Sequence, residues 1–194
     1  AGVGMVHQHF TLADNLSVLD NICLGTRSLW RLGQGRNAAR ARVAALSRDF
    51  GLVVNPDAIV GRLTVGQRQR VEILKALYRD AKILILDEPT AVLTPQEADA
   101  LFETLRRATG MCLSVLFISH KLHEVTAVAD RITVLRKGRV TAQGLPMANR
   151  TKQELAQLMV GRDVIFQVEK APNTPGDVVL HVENVQATNN KGVP

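Results

Sequence analysis

Apolar residues in this chain gather in short clusters whose spacing changes from one cluster to the next. Val3 to Phe10 is an apolar run of strand type. Ser17, a capping residue, precedes Leu19, Ile22 and Cys23 at helical spacing, which predicts a short helix stopped at Gly25. A glycine-containing loop at Gly33 and Gly35 follows. Asn37 then opens an Ala- and Arg-rich helix ending at Gly51, with Val43, Leu46 and Phe50 on its apolar side.

Helix starts become explicit further along. Thr64 with Gln67, Thr94 with Glu97 and Thr151 with Glu154 each form a Thr-x-x-Glu/Gln box, in which two side chains satisfy orphan amides reciprocally. Pro95 reinforces the second at the first helical position, where a missing N–H does no harm. Between them, Ile83 to Leu86 and Leu113 to Ile118 are aliphatic runs too short for helices, and they read as buried parallel strands. Strand, helix, strand implies a right-handed crossover and an α/β sheet covered by helices. Arg131 to Arg136, Lys137-Gly138 and Arg139 to Gln143 predict a hairpin with a two-residue loop. The stretch 169–177, with Pro172, Pro175 and Gly176, reads as a linker, and Val178 to Val185 alternates like the first strand of a second domain.

Composition narrows this picture modestly. At 194 residues and 46% hydrophobic content the chain can bury a substantial core. No apolar run approaches the roughly 20 residues of a membrane span, and no signal-peptide pattern opens the chain, so it reads as water-soluble. Cys23 and Cys112 lack partners at metal-ligand spacing and read as small core residues in a reducing compartment. The formal charge of +6 suggests a polyanion partner. Yet Arg27, Arg31, Arg36, Arg40, Arg42 and Arg48 spread along a helical stretch without stacking aromatics, which favours a solvated helix face, with contact to an acidic partner or lipid headgroups second, and no nucleic acid.

The chemistry concentrates at predicted strand ends and one helix start. Asp87 and Glu88 stand at the carboxyl end of an apolar strand, the edge where open α/β sheets bind ligands. Two readings stand for the pair: caps of the turn at Pro89-Thr90, or an aspartate holding magnesium beside an acid that activates water in phosphoryl transfer. Thr64, Gly66 and Gln67 open a helix whose amides and dipole suit an anion. His120 follows the strand ending at Ser119, on the same predicted edge, where a histidine can donate to a phosphate and hold a neighbouring carboxylate. Gln8 ends the first apolar run in the same way.

Gln8, the run LTVGQ at Leu63 to Gln67, ILILDE at Ile83 to Glu88, and His120 resemble, in order and spacing, the Q-loop, signature, Walker B and H-loop of ABC ATPases. The resemblance implies a P-loop-NTPase-like α/β core with a helical subdomain at about 15–80. It implies ATP and Mg2+ as ligands. Asp87 would hold the metal, with Gln8 contacting it; Glu88 would be the catalytic base and His120 the γ-phosphate switch. Thr64, Gly66 and Gln67 would serve a nucleotide bound by a second ABC ATPase domain, packed head to tail. Val65 replaces the usual glycine of the signature, and Ala91-Val92-Leu93-Thr94 departs from the usual Ser-Ala-Leu-Asp of the D-loop.

The wording VEILKALYRDAKILILDEPTAVLTPQEADALF, from Val71 to Phe102, is similar to the tandem-domain subunits that energise uptake of simple sugars or nucleosides. The partners so implied are transmembrane permease subunits and, indirectly, a periplasmic or lipoprotein solute-binding protein, with the ATPase peripheral at the cytoplasmic face of the inner membrane. Residues 1–168 would be the later part of one ATPase domain and 178–194 the start of the next. No G-x-x-x-x-G-K-[ST] run occurs, so these residues are expected to lack the phosphate grip and to show negligible ATPase activity alone. Two other classes compete: a non-transport ABC ATPase, and a non-catalytic nucleotide-binding or scaffold domain.

Overall fold

The computed structural model describes residues 2–26, 35–148, 150–161 and 176–186. Gly33, Arg27, Arg31 and most of the expected linker lie outside them. The elements run β1 (Val3–Val6), α1 (Val18–Cys23), α2 (Arg36–Phe50), a 3-10 turn (Val60–Arg62), α3 (Val65–Tyr78), β2 (Ile83–Asp87), α4 (Pro95–Gly110), β3 (Ser114–Ile118), α5 (Leu122–Val128), β4 (Arg131–Arg136), β5 (Arg139–Pro146) and α6 (Lys152–Val160). Compactness divides the chain into 1–163 and 164–194, and each part is described by itself.

In the first part, β1, β2 and β3 form a parallel sheet in that order, with Val6 opposite Leu86 and Asp87 opposite Ile118. Their carboxyl ends therefore share one edge. Val6, Leu84, Leu86, Val115 and Phe117 face a core built with α1 to α4, and Phe102 of α4 meets Phe117 edge-on at 6.2 Å between ring centroids. The opposite face differs from expectation. Val3, Met5, Ile83, Leu116 and Ile118 are exposed, so the apolar run at β3 is buried on one side only. Continuous aliphatic sequence reports that both faces are apolar, not that both are covered.

All three predicted boxes close as reciprocal caps, at α3, α4 and α6. Helix α2 starts at Arg36, one residue before the predicted Asn37, because Gly35 takes the left-handed conformation at its N-cap. Its arginines are solvated but paired: Arg36 with Asp20, Arg40 with Asp57 and Arg42 with Asp80, each at 2.6 Å. Asp57 is held below the usual carboxylate range chiefly by its hydrogen bond from Arg40. Cys23 is buried, whereas Cys112 is exposed in a left-handed turn, φ 64°, between α4 and β3. A thiol on the connection cannot reach the core that its neighbour Leu113 enters.

Helix α3 lies directly over β1. A Cβ at Gly4 would stand 2.7 Å from the Ala76 Cβ, so the contact requires glycine there and a small residue opposite. The hairpin β4–β5 turns through Lys137 and Gly138, both at positive φ, as a right-twisted two-residue turn demands. Its Ile132 and Val134 join Leu155 in a smaller core. In the second part, residues 176–186 form neither helix nor strand, against the expected strand at Val178 to Val185. Alternation alone does not make a strand, which needs a ladder partner for its amides.

Candidate functional site

The parallel sheet ends in three loops, each carrying a predicted residue. Gln8 lies two residues beyond β1 and is exposed. Asp87 is the last residue of β2, half-buried. Glu88 then leaves the extended conformation at φ 43°, a left-handed geometry unusual for a residue with a side chain. Its N–H still donates to the Ile118 carbonyl at 3.0 Å, so the backbone stays tied to β3 while the side chain is re-aimed. Such strain persists only where surrounding contacts impose it, and it clusters at functional sites.

The re-aimed carboxylate meets His120. Nδ1 of His120 lies 2.8 Å from Glu88 Oε1. An ionised carboxylate only accepts, so with it Nδ1 carries the hydrogen of the contact, and Nε2 has no hydrogen-bond partner among the described residues. The imidazole side chain is 66% exposed and the Glu88 side chain 30%, so both remain reachable by a ligand on the sheet edge. This contact spans 32 residues of sequence.

A second set of contacts below it was not visible in the sequence. Glu124, the third residue of α5, is 1% exposed. Its Oε2 accepts from Ser119 Oγ at 2.7 Å, its Oε1 from Thr90 Oγ1 at 2.5 Å, and Lys121 Nζ lies 3.1 Å from Oε1. Burial pushes its carboxyl up, but the hydrogen bonds from Thr90, Ser119 and Lys121, with the lysine charge, outweigh it and hold the group below the usual carboxylate range. Only the i,i+3 spacing of Lys121 and Glu124 hinted at the pairing.

The loop bearing Gln8 is anchored to α3. Buried Glu72 accepts from the Thr11 N–H at 2.6 Å and from Thr11 Oγ1 at 2.9 Å, across 61 residues of sequence. Lys75 Nζ donates to the Thr11 carbonyl at 3.2 Å. Farther on, buried Asn21 closes the same loop through both atoms of its amide, accepting from the Ala13 N–H at 2.8 Å and donating to the Ala13 carbonyl at 3.0 Å.

Thr64, Gly66 and Gln67 stand apart from the sheet-edge pair: among the described residues no hydrogen bond or ion pair joins them to Asp87, Glu88 or His120. They open α3. Thr64 Oγ1 accepts from the Gln67 N–H at 3.3 Å, and Gln67 Oε1 from the Thr64 N–H at 3.0 Å. That use leaves the first-turn amides of Val65 and Gly66 without an acceptor among the described residues, the usual provision for an anion. Gly66 itself is buried, and a Cβ there would lie 2.4 Å from Glu97 Oε1. Glu97 caps α4 through Thr94, so the start of α3 abuts the end of the loop that begins at Glu88.

Residues 1–91 match the protein family described as ABC transporter. Over 191 residues the chain is 47% identical to the nucleoside import ATP-binding protein NupA of Lactococcus lactis subsp. cremoris, which covers 98% of this chain and 38% of that protein. It is 43% identical over 188 residues to the ribose import ATP-binding protein RbsA 3 of Rubrobacter xylanophilus (95% of this chain, 37% of that one). To the guanosine import ATP-binding protein NupO of Bacillus subtilis it is 42% identical over 193 residues (99% and 38%). The chain thus spans well under half the length of the curated relatives it matches. A solved structure described as an inward-facing ABC transporter of metal-chelate type superposes with a TM-score of 0.70 at 21% identity, covering 84% of this chain and 65% of that one. That likeness establishes the fold alone.

Proposed function

We propose that the chain belongs to the ABC transporter family and is part of the ATP-hydrolysing subunit that energises import of a simple sugar or nucleoside. The observation that carries this reading is the 2.8 Å contact between His120 Nδ1 and Glu88 at the carboxyl edge of the parallel sheet. With Nδ1 engaged, Nε2 is the atom that addresses the γ-phosphate, while the Glu88 carboxylate takes a proton from the attacking water. Gln8, on the loop after β1, would contact the metal and the γ-phosphate region when they are bound, and would sense the permease.

Asp87, assisted by Gln8, is the donor set that would hold magnesium. Among the described residues no group of three or more His, Cys, Asp or Glu could hold a metal by itself. A single strand-end carboxylate suits magnesium, which keeps several waters and takes substrate phosphate as ligand. When bound, the ion neutralises phosphate charge. The amides of Val65 and Gly66, with Thr64 and Gln67 fixing the turn, receive phosphate oxygens of the nucleotide on a second ATPase domain in a head-to-tail pair.

In this reading residues 1–168 are the later part of one ATPase domain, 169–177 a linker and 178–194 the opening of another. The subunit sits against permease subunits at the cytoplasmic face of the membrane, and a solute-binding protein acts across it. Among the described residues no helix is long and apolar enough to cross a membrane. Relatives named for nucleoside, ribose and guanosine match at similar identity, which supports leaving cargo choice to the membrane and solute-binding partners.

The test is steady ATP hydrolysis by the complete subunit assembled with its permease. Glu88→Gln is expected to lower turnover about 10²- to 10⁴-fold, the usual share of a general base, with nucleotide binding retained. The 194-residue chain by itself, which contains no P-loop sequence, is expected to turn over negligibly. Wild-type turnover in the Glu88→Gln assembly would sink the assignment.

A further inference from the structure

Glu124 is buried more deeply than Glu72, the other buried acid among the described residues, at 1% against 4% exposure. The proposed reaction does not use it. Its partners are arranged in an informative way. Thr90, itself 3% exposed, lies two residues beyond Glu88 on the loop after β2. Ser119 and Lys121 flank His120 on the loop after β3. One carboxylate therefore collects a hydroxyl from the first loop on Oε1 and a hydroxyl from the second on Oε2.

Lys121 closes the arrangement from above. Its Nζ, besides facing Glu124, donates to the Thr90 carbonyl at 3.1 Å, and its own N–H donates to Ser119 Oγ at 3.1 Å. His123 Nε2 stands 3.9 Å from Oε1 at the margin. Glu124 makes no hydrogen bond to Glu88 or His120 among the described residues. It grips the residues beside them. An apolar side chain could pack α5 in place equally well, but it could not accept from the hydroxyls of both loops, whereas the carboxylate gives each of them a charged oxygen of its own.

We propose that Glu124 is a positioning residue that staples the loop after β2 to the loop after β3 through Thr90 and Ser119, so that Glu88 meets His120 with Nδ1 donating. Two further features fit this role. Glu88 is held at positive φ, a conformation that needs outside support, and the first anchored residue after it is Thr90. Lys121 is oriented by the same carboxylate, which fixes the backbone on the far side of His120. The consequence for hydrolysis rests on the function proposed above; the stapling itself does not.

The test reads the imidazole directly, in the 194-residue chain, by ring-nitrogen NMR, taking the tautomer ratio from the spectra of the neutral ring. A neutral His120 donating from Nδ1 to a carboxylate is held in the Nδ1–H tautomer. Glu88→Gln removes the direct partner and sets the released value. Glu124→Gln and Thr90→Val are each expected to lower the ratio of Nδ1–H to Nε2–H about tenfold toward that value, the scale of a hydrogen bond to a charged acceptor. His7 and His9 serve as internal references. Amide spectra establish that each variant is folded, and if Glu124→Gln does not fold, Thr90→Val decides. A released ratio in Glu88→Gln with a wild-type ratio in folded Thr90→Val and Glu124→Gln would overturn the staple alone. No change even in Glu88→Gln would overturn the staple together with the pairing on which the proposed function leans.

Discussion

A methyl group added at Gly4 tests how closely the sheet and its covering helix are fitted. The new Cβ would stand 2.7 Å from the Ala76 Cβ and 3.1 Å from the Ala81 Cβ. Carbon atoms settle at about 3.5–4.0 Å, so one contact is short by about 1 Å. Neither neighbour can rotate away: Ala76 is a stub on α3, and Ala81 sits in the turn leading to β2. Forcing extra carbon into a packed core typically costs about 1–3 kcal/mol. Against this, Gly4 has no positive φ, so alanine gains about 0.4–1 kcal/mol by restricting the unfolded chain. The net expectation for Gly4→Ala is a loss of about 1–2 kcal/mol. With a denaturant slope of about 1–3 kcal/mol/M, the urea midpoint followed by circular dichroism should fall by about 0.3–2 M. In an Ala76→Gly background the nearest clashing atom is gone, and the same substitution should cost measurably less. An unchanged or higher midpoint for Gly4→Ala, or an equal penalty in both backgrounds, would show that α3 does not press on β1 as described.

Two other outcomes are expected from buried acids. Glu124 is held below its ordinary value, so it binds protons less readily folded than unfolded; its contribution is complete above the unfolded carboxyl value of about 4.3 and is lost as pH falls through the folded one. The stability gap between wild type and Glu124→Gln, measured by urea unfolding at pH 6 and again near pH 3, should therefore narrow with acid, and a constant gap would contradict the assignment. Glu72→Ala should abolish protection of the Thr11 amide in hydrogen exchange while amides within α3 stay protected, because Glu72 is that amide's acceptor at 2.6 Å. Persistent Thr11 protection would show that the loop bearing Gln8 is anchored by something else.

What could be read along the chain were features closed within a few residues. Each capping box joins a threonine to the third residue after it, so spacing alone specifies both partners. The hairpin at Lys137-Gly138 is likewise local, because two left-handed residues set the twist of the strands that flank them. Apolar runs located β2 and β3, and their shared direction put Asp87 and His120 at one edge. Where the reading failed, the deciding partner was distant or absent. Cys112 looked like a core residue until the turn between α4 and β3 carried it outward, and Val178 to Val185 alternated without a ladder to join.

The candidate site divides along the same line. Carboxylates, a histidine and a helix start suited to phosphate drew attention to Asp87, Glu88, His120, Thr64, Gly66 and Gln67, and the resemblance to ABC ATPases added Gln8 and completed the set. The sequence offered His120 a neighbouring carboxylate on the shared edge without saying which, and the structure makes it Glu88; that Glu88 turns to positive φ and that Glu124 gathers Thr90 and Ser119 was not legible. Glu88 and His120 lie 32 positions apart and Thr90 and Glu124 34, and Glu72 reaches Thr11 across 61. No periodicity records such distances. They are decided by parallel strand register, which brings loop ends together only after the sheet and its helices have packed.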